Sequence, residues 1–430
     1  MEDVLRPLST DNDGLIESVK DPTSAEGMVF YHADEGKPLA TPWQVAITRA
    51  ILLNEHKLPE GYLLDCACGS GIQIAAYSTI IKRPVIGIEL NPQRAKASAV
   101  NLTTVFTERG DSSVKNLRSS LFIIGDGRDG KAAIDKIKKS NNLDDVKIGL
   151  LHLDPARPRN SRSHSLDEMK PRLDEVFLGW KEYLSESENG PAILLDLSPR
   201  LSYQQRLEVE QIVEDTWPLI NKTWTWISRG KGRVDRLALW LGSIAKKDTP
   251  RRFIRVSPDL KNQPFIFEGG IQLSEGEDVP ISSTRMPKRG EYITVLDSAL
   301  VECGLAQYWL ESLKPNPLCH WVDSTGRRPQ IHHEAKLPSI PKGSEFLIQA
   351  SGRIVEIFHQ DLNLETVDQF VEKILTHDIK RVTIRSSLNP EHQPKIQGSF
   401  DRQLSRRHGK RDAFLIQHPS TSMSMLCVIE

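Results

Sequence analysis

The strongest chemical signal in this 430-residue chain is a succession of acids, each closing an apolar run. Asp65 follows Leu63-Leu64, Glu89 follows the run from Val85, Asp126 follows Leu121 to Gly125, and Asp154 follows Ile148 to Leu153. Between the first two lies Cys66-Ala67-Cys68-Gly69-Ser70-Gly71. Such small residues suit a strand that turns at once into a helix, because they let a ligand approach the backbone and the unpaired N–H groups of the helix start. Glu89 stands 18 residues beyond Gly71, where a carboxylate can accept both ribose hydroxyls of a nucleoside. A dinucleotide turn needs a third glycine three residues after the second, to bring the helix up to a pyrophosphate; here that position is Ile74. The turn therefore favours a nucleoside cofactor without a pyrophosphate, with an NAD(P)-dependent oxidoreductase as the alternative. In the same frame Asp126 is placed for an adenine amino group, and Asp154 for the reacting end of the ligand.

These acids meet only if their strands run parallel in one sheet, since ligands of open α/β sheets lie beyond the carboxyl ends of the strands. The pattern predicts helices opening at Thr41-Pro42 and at Asn91-Pro92, the latter reaching about Phe106, because each pair offers a cap followed by a first-turn proline. A fifth strand is expected over Ala192–Leu197 and a helix over Tyr203–Asp215. Thr223–Ser228 and Val234–Leu241, joined by Arg229-Gly230-Lys231-Gly232-Arg233, read as an antiparallel hairpin. Past residue 247 prolines and glycines become frequent, with a helix expected from Tyr292 to Leu313. From residue 345 a denser pattern predicts strands near Glu345–Ala350, Arg353–Phe358, Arg381–Ser386, Ala413–Gln417 and Met423–Ile429, with helices near Leu364–His377 and Phe400–His408. The expected organisation is an N-terminal helical or irregular segment (1–60), a catalytic α/β domain (61–247), a small α+β module (248–344) and a compact C-terminal module (345–430).

Charge nearly cancels, with 56 basic against 57 acidic residues, so distribution decides what nucleic acid would see. Between Lys380 and Arg411 the chain carries Lys380, Arg381, Arg385, Lys395, Arg402, Arg406, Arg407, Lys410 and Arg411 against only Glu391 and Asp401. Such clustering is the footprint of phosphate contact. Arg157, Arg159 and Arg162 follow Asp154, and Arg229, Lys231 and Arg233 occupy the hairpin turn. The five cysteines form no repeating pair pattern, which points to a reducing compartment, and Cys66-Ala67-Cys68 has no second pair to complete a structural zinc site. The opening MEDVLRPLST has no apolar core of a signal peptide, and no stretch is apolar enough to span a bilayer. A cytoplasmic protein without a metal is expected.

Several separated stretches together resemble one family. DCACGSGI, LDPAR after the fourth strand, LDLSPR of the fifth, WTWISRGKGRVDRLALW and GEYITVLDSALVECGLA are similar to the bacterial and archaeal class I methyltransferases that carry a C-terminal THUMP-like domain. The resemblance implies a seven-stranded Rossmann-like sheet, parallel with an antiparallel terminal hairpin, followed by ferredoxin-like and THUMP-like modules. It also implies S-adenosyl-L-methionine as cofactor and RNA, a tRNA or rRNA, as substrate. Asp65, Gly69, Gly71, Glu89 and Asp126 would hold the cofactor, with Asp154, Pro155 and Arg157 at the transferred methyl. Arg159, Arg162, Arg381, Arg385, Arg402, Arg406, Arg407, Lys410 and Arg411 would contact RNA. Where the family motif continues to a second arginine, this chain has Pro158.

Methyl transfer is an in-line displacement in which the protein mainly holds two partners in a near-attack pose. Many amine methyltransferases carry Asp/Asn-Pro-Pro-aromatic at the fourth strand; here Ala156 and Arg157 replace the second proline and the ring, and a guanidinium can stack on a base in the ring's stead. Carbon-5 methylation of pyrimidines needs a cysteine nucleophile, and none lies near Asp154. A non-catalytic RNA-binding protein that keeps the nucleoside pocket is the rival from another class.

Overall fold

The architecture comes from a computed structural model, which describes residues 4–18, 27–33, 41–110, 114–156, 166–230, 232–270, 283, 285–324, 326–386, 388–406 and 409–430. The chain divides into two compact units, one formed by residues 1–229 and 234–273 and the other by 230–233 and 274–430.

The first unit is built on strands β1 (Tyr62–Asp65), β2 (Val85–Glu89), β3 (Leu121–Ile124), β4 (Ile148–Leu153), β5 (Gly190–Leu197), β6 (Lys222–Ser228), β7 (Arg236–Gly242), β8 (Arg251–Arg255) and β9 (Phe265–Gly269). Their spatial order is β3-β2-β1-β4-β5-β7-β6-β8-β9, with Val4–Leu5 added antiparallel to β3. Strands β1 to β5 are mutually parallel where they pair, and β7 runs antiparallel to both β5 and β6. The expected hairpin is therefore present. Strands β8 and β9, which fall in the stretch expected to begin a separate module at 248, extend this sheet instead: Trp224–Ser228 pairs in parallel with Arg251–Arg255. The run of apolar residues in Phe253-Ile254 can bury only by joining a sheet already formed.

Helices α1 (Trp43–Asn54), α2 (Ile72–Ile81), α3 (Pro92–Glu108), α4 (Gly130–Asn141), α5 (Leu173–Trp180) and α6 (Tyr203–Thr216) cover the sheet. Helix α3 starts as its sequence predicts, with Asn91 accepting from the N–H groups of Gln93 and Arg94 and Pro92 in the first turn, where its missing N–H costs nothing. Helix α1 differs. Pro42 is its N-cap residue and no side chain caps it, because the Thr41 hydroxyl accepts instead from Arg236 Nη2 at 3.0 Å. Ala46, Ala50, Ala75 and Ala76 are fully buried in one core with Leu63, Leu150, Leu194 and Trp240, and their small side chains let α1 and α2 lie close to the sheet. Among the described residues no helix is long and apolar enough to cross a membrane.

The second unit carries one seven-stranded sheet made of β10 (Tyr292–Leu296), β11 (Cys319–Asp323), β12 (Gln330–His333), β13 (Ile348–Phe358), β14 (Ile379–Ile384), β15 (Arg411–Gln417) and β16 (Ser424–Val428), in the order β11-β12-β10-β13-β16-β15-β14. Residues 292–333 and 348–428, expected in two modules, thus share a sheet through antiparallel pairing of β10 with β13. The helix expected over Tyr292–Leu313 is a strand followed by two short helices, α7 (Ser298–Glu302) and α8 (Ala306–Ser312). Tyr-Ile-Thr-Val-Leu is a β-branched and aromatic run, Asp297 caps α7 through the N–H of Ala299, and Gly304 separates the two. The strands expected at 345–350 and 353–358 are one, β13, whose burial alternates along most of its length, as a strand with one wet face requires. Helices α9 (Val367–Ile374) and α10 (Gln393–Leu404) close the core over Val382, Phe400 and Leu415. Helix α10 replaces the helix expected at 400–408, its start set by Pro394 in the first turn.

Gly71 tests the close approach of α2 and α3. Its φ is +70°, and a Cβ there would stand 2.7 Å from Ser98 Cβ and 2.8 Å from Ser98 Cα. Gly71→Ala should cost about 1–3 kcal/mol for strain and overlap together, read as a lower urea midpoint at unchanged slope.

Candidate functional site

The turn from β1 into α2 lies at the carboxyl end of the sheet and is fixed from several sides. Gly69 has φ +54° and a side chain there would meet nothing within 4 Å, so the backbone faces open space. Its N–H donates to Glu89 Oε2 at 3.1 Å, while the other oxygen of Glu89 takes the N–H of Asn91 at 3.0 Å. Gly69 and Glu89, singled out from sequence, are thus brought together. Burial pushes the Glu89 carboxyl up from its ordinary range, against the two N–H groups.

Helix α3 braces the turn from behind through residues that no motif revealed. Ser98 Oγ donates to the carbonyl of Gly69 at 2.7 Å, and Asn101 Nδ2 to the carbonyl of Ser70 at 2.7 Å. The same Asn101 amide bonds the backbone of Tyr31 in both directions, accepting from its N–H at 2.7 Å and donating to its carbonyl at 2.9 Å. The segment 27–33 is thereby tied to the glycine turn, with Phe30 buried against Trp43 at 5.6 Å between ring centroids. Ser98 and Asn101, polar side chains on the otherwise apolar buried face of α3, were the available signal. Behind the turn Gly127 admits the carbonyl of Cys66, which a Cβ would overlap at 1.9 Å. Burial raises the thiols of Cys66 and Cys68 well above the ordinary range, which fits packing and not nucleophilic attack.

Asp65 does not face open space. It is 2% exposed; one oxygen accepts from the N–H of Ala67 at 3.0 Å and the other bonds His152 Nδ1 at 2.8 Å. His152 Nε2 lies 3.3 Å from Asp196 Oδ2, and Asp196 forms a two-pronged ion pair with Arg49, Nη1 to Oδ2 at 2.7 Å and Nη2 to Oδ1. Gln73 joins from α2, 2.9 Å from Arg49 Nη1 and 3.2 Å from Asp196 Oδ2, and the Tyr77 ring meets that of His152 edge-on at 5.6 Å. Five elements, α1, α2, β1, β4 and β5, each contribute a polar side chain to this one chain of contacts. Sequence reading missed Arg49, Gln73, His152 and Asp196, although a histidine and an acid inside fully apolar strand runs were the signal.

The electrostatics follow from the pairing. Burial alone would lower the His152 imidazole, but Asp65 and Asp196 overcome it and lift it to about 9, so the ring is an imidazolium at neutral pH. Burial would raise the Asp196 carboxyl, yet Arg49 and His152 hold it well below the carboxylate range. Two cations and two anions make the buried set neutral.

Of the remaining acids, Asp154 borders this set and Asp126 sits apart from it. The register pairs Leu153 of β4 with Leu195 of β5, which brings half-buried Asp154 beside Asp196 at the strand ends. Burial and Asp196 push its carboxyl up, while Arg236 and His152 oppose them. Pro155 is buried behind it. Asp126 lies on the rim, where its carboxylate is bonded to Arg128 at 3.0 Å and Arg128 reaches on to Glu175 at 3.0 Å; that guanidinium, first, holds it below the ordinary range. Arg157, Arg159 and Arg162 lie outside the described residues, as do Lys231 and Arg407. Arg229, in the hairpin cluster, is held by Asp235 at 2.9 Å. Among the described residues no group of three His, Cys, Asp or Glu could hold a metal ion.

No protein-family model matches the chain, and no curated protein matches it. Solved structures do share its fold. A protein of Porphyromonas gingivalis W83 assigned provisionally as a methyltransferase is 16% identical and superposes with a TM-score of 0.51 over 91% of this chain and 81% of its own. An S-adenosylmethionine-dependent methyltransferase of Agrobacterium tumefaciens (12% identity, TM-score 0.34, 56% and 72% coverage) and human methyltransferase-like protein 13 with S-adenosylhomocysteine bound (18%, 0.27, 46% and 78%) match parts of the chain too loosely to carry an argument. The first likeness, with the observed strand order, shows a Rossmann-like α/β fold shared with that protein.

The His152 imidazolium makes stability depend on pH with a definite sign. Its folded pKa, about 9, lies above the ordinary 6.5, so its contribution is complete below pH 6.5 and is lost as pH rises through 9. Urea unfolding should show a fall of about 2–3 kcal/mol between pH 6.5 and 9, and His152→Gln should flatten that slope.

Proposed function

We propose that this protein is an S-adenosylmethionine-dependent methyltransferase acting on RNA, a tRNA or rRNA. The observation that carries the catalytic part is the glycine turn: Gly69 faces open space with its N–H on Glu89. A bound nucleoside could take over the Glu89 oxygens with its ribose hydroxyls, while Gly69 and Gly71 admit the methionine portion. No third glycine calls for a pyrophosphate, and position 74 is a fully buried isoleucine. S-Adenosylmethionine supplies an electrophilic methyl on a sulfonium. This chain's own contribution is to orient it and to hold a carboxylate, Asp154, next to Pro155 where the acceptor must enter; Arg157, the third residue assigned to this role from sequence, lies outside the described residues. Asp65 supports the turn through Ala67, and Asp126 is the candidate for the adenine amino group.

The RNA reading is supported by where the basic residues of the second unit fall. Strands β14 and β15 are parallel, with Ile379 opposite Arg411, and α10 runs back between them. Lys380 and Arg381 at the start of β14, Lys410 and Arg411 at the start of β15, and Arg402 and Arg406 at the end of α10 therefore gather at one end of this unit. Lys380, Arg381, Arg402, Arg406 and Lys410 are exposed. Among the described residues Arg381 has only a 3.6 Å contact with Asp412, an exposed pair that is worth little and leaves the guanidinium able to meet phosphate. Arg411 turns inward to the carbonyl of His377, and Arg385 sits at the opposite end of β14, reaching the carbonyl of Gln349 at 3.3 Å.

Calorimetry with S-adenosylhomocysteine tests the cofactor. Binding by the intact chain and an at least tenfold loss in Glu89→Ala are expected, whereas Asp154→Ala should spare binding and abolish transfer of labelled methyl to total RNA; stabilisation by NAD(P) instead would overturn the assignment, and binding without turnover in the intact chain would favour a non-catalytic RNA-binding protein. Replacing Arg381, Arg406 and Lys410 by Gln together should weaken RNA binding and reduce the slope of log K against log salt by about two to three. An unchanged slope would remove this surface from the RNA interface.

A further inference from the structure

Two distant stretches of the first unit meet on one side chain. Ile16–Glu17 and Tyr31–His32 pair antiparallel as a two-stranded ribbon that stands outside the main sheet. A ribbon of two residue pairs is at best marginal by itself, so its order depends on what it docks against. That support is helix α3. Lys96 Nζ donates to the carbonyl of Asp13 at 2.7 Å, and Asn101 bonds both backbone groups of Tyr31.

The Asn101 amide is fully used. Its oxygen accepts from the Tyr31 N–H, and its nitrogen donates to two carbonyls, that of Tyr31 and that of Ser70 inside the glycine turn. Asn101 is completely buried, so an amide group that loses its partner there has no water to turn to. Neither the ribbon nor the turn can move off without weakening the contact that holds the other. Ser98, three residues earlier on the same face of α3, holds the carbonyl of Gly69. Each peptide is planar and trans, so with the carbonyls of Gly69 and Ser70 both directed at α3, the N–H groups of Ser70 and Gly71 point away from that helix. The open side of the turn is thus set from behind.

Apolar packing does not make this connection. Phe30 against Trp43 fastens the segment to α1 and leaves it free of the turn. An aspartate at position 101 would lack both donors, and a leucine of similar shape would lack every bond. We propose that Asn101 is a positioning residue that couples the cofactor to this ribbon: filling the glycine turn tightens the ribbon, and the docked ribbon holds the turn in the form that binds. This coupling rests on the methyltransferase reading above. Coupling between two sites is reciprocal, so it is measurable from either end.

The full-length protein is followed by hydrogen exchange with and without saturating S-adenosylhomocysteine, and affinity is measured by calorimetry. Exchange over residues 27–33 should slow about tenfold on binding. Binding that leaves 27–33 unchanged would overturn the coupling and spare the cofactor assignment; no binding by the intact chain would overturn that assignment and the coupling with it. Asn101→Asp keeps the acceptor and removes both donors. It should weaken S-adenosylhomocysteine about tenfold and abolish the slowing at 27–33, whereas a role in packing alone lowers stability and leaves affinity and slowing as they were. Because Asn101 lies in the core, Tyr31 tests the same bond from its outer end. Tyr31→Pro deletes the N–H given to Asn101, while Tyr31→Ala loses the same ring and keeps that N–H. The first should weaken binding about tenfold and the second less than about twofold. Equal losses in the two, or none in Tyr31→Pro, would overturn the role of Asn101.

Discussion

The first unit depends on a neutral set of four charges inside a hydrocarbon interior. Arg49, Asp196, His152 and Asp65 come from α1, β5, β4 and β1, and none can be desolvated alone, since an unpaired buried ion costs several kcal/mol. Satisfying all four at once requires α1 to lie over the sheet at one depth and β1, β4 and β5 to stand in one register. Nonpolar packing of Leu63, Leu150 and Leu194 supplies most of the cohesion, as buried aliphatic side chains contribute about 1.5–3 kcal/mol each. Apolar contacts tolerate sliding; charged hydrogen bonds do not. The set thus fixes geometry more than it adds stability.

That geometry is transmitted directly to the edge where a ligand would lie. Asp65 both ends the chain of charges and accepts the N–H of Ala67, so the glycine turn is anchored to the interior at its first residues. Helix α3 holds the far side of the turn through Ser98 and Asn101, and the segment around Tyr31 is joined to the same asparagine. A turn made of small residues has little packing of its own, and it owes its rigidity to these neighbours. Flexible glycine backbone and a preorganised binding edge are compatible only because the bracing comes from outside the turn.

The second unit solves a different problem with a different sheet. Its one parallel pair, β14 and β15, needs a crossover, and α10 provides it. A consequence of that crossover is that the starts of two strands and the end of one helix meet, and the helix end, whose carbonyls carry partial negative charge, accommodates cations well. Basic residues separated by some 30 positions in the chain become neighbours there without needing specific partners.

Much was legible in the residues alone. Runs of branched apolar residues closed by acids required parallel strands with their carboxyl ends together; Asn91-Pro92 required a helix start; glycines at 69 and 71 required a strand-to-helix turn open to a ligand. These are local rules, and local chemistry enforces them. What only tertiary structure decided is where each side chain spends its hydrogen bonds. Asp65 reads from sequence as a ligand-facing acid, yet its carboxylate is claimed by His152, and Thr41 reads as a cap but serves Arg236. The helix expected at 292–313 gave way to a strand because pairing with β12 and β13 satisfies its backbone, and β8 and β9 joined the first sheet for the same cause. A buried charge has no meaning until its partner is known, and partners here lie up to 147 residues away, beyond the reach of any spacing rule.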